Sequence, residues 1–156
     1  MKHTVFVYGS LMRGLGNSGC LRGATFAGLA DLRTPDLQMV SLGGFPALVQ
    51  RSAFVPLDHP RPWMMFLGEA YEVDDEGLHA LDMLESHPRF YRRRLLSVRV
   101  GSMSGQREWV GPRGKAWVYA LDRPADWHET VVQPIDGRLV SWRWHLDQRH
   151  KAQGVA

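Results

Sequence analysis

Apolar residues in this chain gather in short runs, not in long periodic stretches. Val5-Phe6-Val7-Tyr8 is β-branched and aromatic and ends at a glycine, which predicts a buried first strand. Thr25 to Leu32, Leu37 to Leu42, Ala47-Leu48-Val49, Phe66 to Val73, Tyr91 to Val100 and Ala116 to Leu121 predict further strands. Between Gly9 and Gly23 stand five glycines, the mark of a turn and loop with room for one short helical piece. Pro35-Asp36 and Gly43-Gly44-Phe45-Pro46 read as turns, Pro56 to Trp63 as an irregular loop or strand crossover, and Gly101 to Gly114 as a hairpin connection. The tail after Ile135, with Trp142, Arg143 and Trp144, is expected to close the fold and to fray at its end.

One segment has a helical period. Asp74 can cap it, Asp75 and Glu76 complement the positive end of its dipole, and His87-Pro88 stops it just after Glu85. Leu78, Leu81 and Leu84 form its apolar stripe. At ~100° per residue, Glu85 lies about 20° from Leu78 and about 40° from Leu81, on the buried side. Asp82, about 100° from Leu81, is expected to face solvent. An acid on an apolar face is paired, protonated or set in a cleft, where partial burial raises its pKa toward neutral. Periodicity alone leaves open the plainer alternative of a helix-end glutamate swung out to water. Many strands, few helices and no βαβ alternation predict one α+β domain over residues 1–156, with a curled mixed sheet.

Composition narrows the classes. With 44% hydrophobic and 22% charged residues the chain is globular, and no run approaches the ~20 apolar residues of a membrane span. Met1 to Thr4 leads into a strand-like run without a secretory apolar region, and Cys20 is the sole cysteine; both fit a cytoplasmic protein. The net charge of +3 comes from 19 basic and 16 acidic residues spread along the chain and favours anionic partners only weakly. Arg92-Arg93-Arg94 alternates faces in a strand and carries no nucleic-acid-binding motif, so no nucleic acid is expected as a partner.

The Tyr8-Gly9-Ser10-Leu11 turn follows a buried strand, where a glycine lets successive amides converge on an anion and Ser10 adds a hydroxyl. A simple strand-ending turn is the other reading of the same four residues. Gly14-Leu15-Gly16-Asn17-Ser18-Gly19 spells a dinucleotide fingerprint. It stands too far beyond the strand, however, and is followed by strand instead of helix. The seven histidines form no metal-ligand spacing, and Cys20 has no base placed beside it by sequence. No metal is expected.

In chain order, the motifs resemble the γ-glutamylcyclotransferase-like family, with its γ-glutamylamine cyclotransferase and AIG2-like branches. The resemblance rests on Val5 to Leu11, Gly14 and Asn17, Gly44 to Val49, Gly68 to Val73, Leu81 to Glu85, Pro88, Tyr91 with Arg93, and Trp117-Val118-Tyr119. It implies a compact barrel-like mixed sheet with a few flanking helices and no cofactor. It further implies Glu85 as catalytic acid/base and the Tyr8 to Leu11 turn as the holder of a small γ-glutamyl substrate through backbone amides. Asn17, Tyr91, Arg93 and Tyr119 are the further substrate-binding candidates, in a monomer or homodimer. The implied reaction closes the substrate's own α-amine onto its γ-carbonyl, giving 5-oxoproline and a free amine. A non-catalytic module binding a small carboxylate-bearing ligand is the alternative.

Two departures stand out. Ser86 occupies the place where relatives often carry glycine, and Met12-Arg13-Gly14 replaces the tryptophan that soon follows the turn in the glutathione-specific branch. The second points to an amine leaving group such as a lysine side chain or a protected metabolite.

Overall fold

The computed structural model describes residues 1–51, 63–101, 107–109, 114–121 and 130–154. Five strands close on one another: β1 (His3–Val7), β2 (Thr25–Thr34), β5 (Met64–Val73), β6 (Arg92–Gly101) and β8 (Lys115–Ala120). Around the ring β1 pairs with β8, β8 with β6, β6 with β2, β2 with β5, and β5 with β1 again. The β1–β8 pairing is parallel at Val5↔Trp117, whereas β1 runs antiparallel to β5 at Val5↔Tyr71. Closure leaves these strands no free edge where they pair. Phe6, Leu32, Phe66, Val98 and Val118 are almost wholly buried in the core, as the apolar runs of their strands require.

A second, three-stranded sheet lies alongside, with β3 (Leu37–Ser41) between β4 (Pro46–Gln50) and β9 (Thr130–Val131). It joins the barrel through a bridge between Val49 and Leu121. The only helix legible in the sequence is α1 (Asp75–Leu84), capped as expected by Asp74, which accepts a hydrogen bond from Gly77 N at 2.8 Å. A short 3-10 turn, Ser18–Leu21, supplies the helical piece of the glycine-rich loop.

The fold adds four elements to those the pattern predicts, β9 among them. The Gly101 to Gly114 connection contains β7 (Arg107–Trp109), paired with β6. The tail contributes β10 (Leu139–Val140), parallel to β5, and α2 (Trp142–Ala152), capped by Ser141 with Trp144 N as donor at 3.2 Å. The Pro56 to Trp63 segment lies outside the described residues except for Trp63, which is exposed. No helix among the described residues is long and apolar enough to cross a membrane.

Candidate active site

A cavity of about 450 Å³ opens where the end of β1, the β3–β4 connection, the end of α1 and α2 meet. Its buried floor includes Phe6, Tyr8, Leu11, Tyr91 and Tyr119, and Glu85 shares the wall with the Gly9-Ser10 turn.

Glu85 stands one residue beyond α1 as its C-cap. His87 N donates to Asp82 O at 2.8 Å and Ser86 N to Met83 O at 3.2 Å, the paired bonds of a helix end that turns through a left-handed residue. That residue is Ser86, at φ 52°. A serine thus holds the backbone that glycine favours, and the helix ends as it would with glycine. Tyr91 N donates to Glu85 O at 3.2 Å, tying the next strand to the same point.

No hydrogen-bond or ion-pair partner among the described residues meets the Glu85 carboxyl, and burial pushes its pKa from 4.5 to about 7. Three tyrosines surround it, each with its hydroxyl already placed. Tyr8 donates to Tyr119 O at 2.6 Å and accepts from Leu48 N at 3.1 Å; Tyr91 donates to Pro46 O at 2.7 Å. Tyr119 donates to Asp82 Oδ1 at 2.7 Å. Burial, followed by the Glu85 charge, raises Tyr91 far above neutral, and burial with the Asp82 bond and charge does the same for Tyr119. All three remain neutral phenols at physiological pH.

In the turn, glycine is needed for a reason other than unusual backbone angles. Gly9 is not among the left-handed residues; an added Cβ would lie 2.7 and 2.8 Å from Pro46 Cγ and Cδ. The turn's own bonds use its carbonyls: Met12 N to Gly9 O at 3.0 Å and Asn17 N to Ser10 O at 2.8 Å. The N–H groups of Gly9, Ser10 and Leu11 are left with no acceptor among the described residues. Asn17 lines the cavity and donates its side-chain amide to Ser10 Oγ at 2.9 Å, so it fixes the hydroxyl.

Arg93 is not brought to this cavity. Its Nε donates to Asp82 Oδ1 at 2.8 Å and its guanidinium lies 4.2 Å from the Trp117 ring centre. Asp82 itself corrects the helical-wheel expectation: its side chain is only 17% exposed, clamped between Arg93 and Tyr119. Burial raises its pKa, but the bonds from Arg93 and Tyr119 and the charges of Arg93 and His87 outweigh it and hold the group below 3.8.

Sequence reasoning missed three further residues at or beside the site. Glu69 is buried beneath the loop that follows the turn, accepting from Arg13 N at 2.7 Å, Arg13 Nε at 3.1 Å and Tyr71 OH at 3.2 Å. Trp142 and Leu146 of α2 also line the cavity; Ser141 before Trp142, with Leu146 one turn on, was the available signal. Among the described residues no group of His, Cys, Asp and Glu could hold a metal ion.

Comparison with known proteins agrees with this architecture. The family model described as gamma-glutamyl cyclotransferase, AIG2-like, matches residues 5–142. The gamma-glutamylcyclotransferase family protein YtfP of Escherichia coli K12 is 31% identical over 122 residues, 78% of this chain and 85% of that protein. A rat protein named gamma-glutamylaminecyclotransferase is 34% identical over 118 residues, 70% of this chain and 68% of its own length. The crystal structure of an AIG2-like protein from Mus musculus superimposes with a TM-score of 0.57 at 25% identity, over 90% of this chain and 95% of that one. The chain therefore belongs to the gamma-glutamyl cyclotransferase, AIG2-like family, and is an enzyme of γ-glutamylcyclotransferase type.

Proposed function

We propose that this enzyme converts γ-glutamyl amides into 5-oxoproline and a free amine, with Glu85 as general base and then general acid. One observation carries the reading: a carboxyl without a partner among the described residues, poised near pH 7 by burial, shares a cavity with a turn whose amides have no acceptor there.

The substrate's α-ammonium loses a proton to the Glu85 carboxylate, and the free amine attacks the γ-carbonyl carbon. A C–N bond forms and a five-membered ring closes. The tetrahedral centre then collapses: Glu85 returns the proton to the departing nitrogen as the old C–N bond breaks, and the ring nitrogen gives up its second proton to the released amine, which leaves as an ammonium. Because attack is intramolecular, holding the folded-back substrate supplies much of the acceleration, with effective molarities on the order of 10⁵ M or more. A pKa near the working pH suits a group that must accept and then donate. The Gly9 to Leu11 amides are the donors available to the substrate's carboxylate or to the developing oxyanion. Ser10, whose oxygen accepts from Asn17, serves as a binding group, since the substrate's own amine is the nucleophile.

Mass spectrometry of the products from a panel of γ-glutamyl amides tests this. Release of 5-oxoproline by the wild type, lost in Glu85→Gln, is the expected result. Glutamate instead would mean hydrolysis, and thermal stabilisation by the amides without any product would mean a binding module.

A further inference from the structure

The cavity has two chemically different ends. Its polar groups are the half-buried Glu85, the turn amides with Ser10 and the buried tyrosine hydroxyls on the β1 side, and the exposed Asn17 and Ser86. Around the mouth stand Leu15, Phe45, Leu84, Phe90 and Leu146. These are partly exposed apolar side chains, with Phe45 38% and Leu84 40% accessible. Large apolar groups left half-wet around a cleft mark a surface meant to be covered. Among the described residues lining the cavity, Glu85 is the sole carboxyl and no Lys, Arg or His takes part. The wall is also fixed. Arg149 Nη1 of α2 donates to Gly43 O at 2.7 Å beside Phe45, and Arg143 Nη2 donates to Arg13 O at 2.6 Å beside the loop of Leu15. Each arginine gives one N–H to a backbone carbonyl, which holds α2 against the two loops of the mouth.

Resting on the cyclotransferase reading, we infer that this mouth is the site of the leaving amine and selects an apolar one, an alkyl or arylalkyl amine, over amines that carry an ammonium or a carboxylate. With the reacting bond held between Glu85 and the turn, the γ-glutamyl half occupies the floor and the amine substituent extends along the apolar ring. A γ-glutamyl amino acid would bring a carboxylate with no cation lining the cavity to meet it. A lysine side chain would bring its charged α-carbon end against leucine and phenylalanine. Leu146 of α2 and Leu15 of the glycine-rich loop, both lining the cavity, are the specificity residues.

The test compares kcat/KM for γ-glutamyl benzylamide, γ-glutamyl butylamide, γ-glutamyl-ε-lysine and γ-glutamylglycine, read as 5-oxoproline, in the wild type, Leu146→Glu and Leu15→Glu. The wild type is expected to prefer the benzylamide over the lysine amide by about tenfold, the scale of burying one apolar substituent. Each glutamate substitution is expected to cut that ratio at least tenfold. The ratio is read within one preparation, so partial unfolding of a variant cancels. Turnover that favours γ-glutamyl-ε-lysine or γ-glutamylglycine, or a ratio unmoved in both variants, overturns the inference while leaving cyclotransfer intact. Thermal stabilisation by the benzylamide but not the lysine amide, with no turnover of either, overturns cyclotransfer and supports the apolar mouth. Neither turnover nor stabilisation overturns both.

Discussion

Two carboxylates three residues apart at the end of α1 live in opposite surroundings. Asp82 has an arginine, a tyrosine hydroxyl and a nearby histidine, and is held below its ordinary pKa. Glu85 has desolvation alone and rises to about 7. Paired environments that drive two acids apart mark a division of labour between a fixed charge and a proton carrier. Asp82 anchors Tyr119 and Arg93; Glu85 is free to exchange a proton with whatever enters the cavity. Burial by itself accounts for Glu85 but not for Asp82. Both groups are partly buried, and the presence of partners decides.

The sharpest break is Glu85→Gln, which keeps the shape and removes the titration. Turnover is expected to fall about 10²- to 10⁴-fold, measured as 5-oxoproline release, with the circular dichroism spectrum unchanged. In Asp82→Asn, by contrast, Arg93 loses its ionic partner while Glu85 is untouched. Stability measured by urea unfolding is expected to drop by about 1–3 kcal/mol, and the acid limb of the kcat/KM profile to stay near pH 7.

The same contrast has a signature in stability. Glu85's folded pKa lies above its unfolded value, so the unfolded chain gives up this proton first as pH rises. The folded state loses stability between about 4.5 and about 7, and the full penalty stands above that window. Glu85→Gln removes it. The variant is expected to be more stable than wild type by about 2 kcal/mol at pH 8, with the gap closing by pH 4. Asp82 has the opposite sign: its contribution is present above its ordinary value of 3.8 and is lost as pH falls below it. The smallest effect is expected at Ser86→Gly. Relief of a left-handed serine at φ 52° should add about 0.5–1 kcal/mol in thermal unfolding, with turnover within about twofold.

The sequence made the barrel strands legible because each is a short β-branched or aromatic run bounded by glycine or proline, as at Val5 to Tyr8. Glu85 could be turned inward because a helix fixes direction by spacing alone. Asp82 was misread for the complementary reason. Its partners Arg93 and Tyr119 come from 11 and 37 residues further along, and a helical wheel carries no such information. Glu69 was hidden by a still longer separation, 56 residues from Arg13. The helix α2 escaped because it has no continuous apolar stripe; of its residues Trp142 alone is fully buried, and Leu146 shows its use only once the cavity is formed. Gly9 was legible as a requirement but not as to cause, since Pro46 approaches it from a strand nearly forty residues away.

The central claim, that partners and not position separate these two acids, is tested most directly by a single carbon-detected NMR titration following the Glu85 and Asp82 carboxyls in one sample of the wild-type protein. The Glu85 midpoint is expected at about 7 and the Asp82 midpoint below 3.8. A Glu85 midpoint near 4.5, or an Asp82 midpoint above that of Glu85, would contradict it.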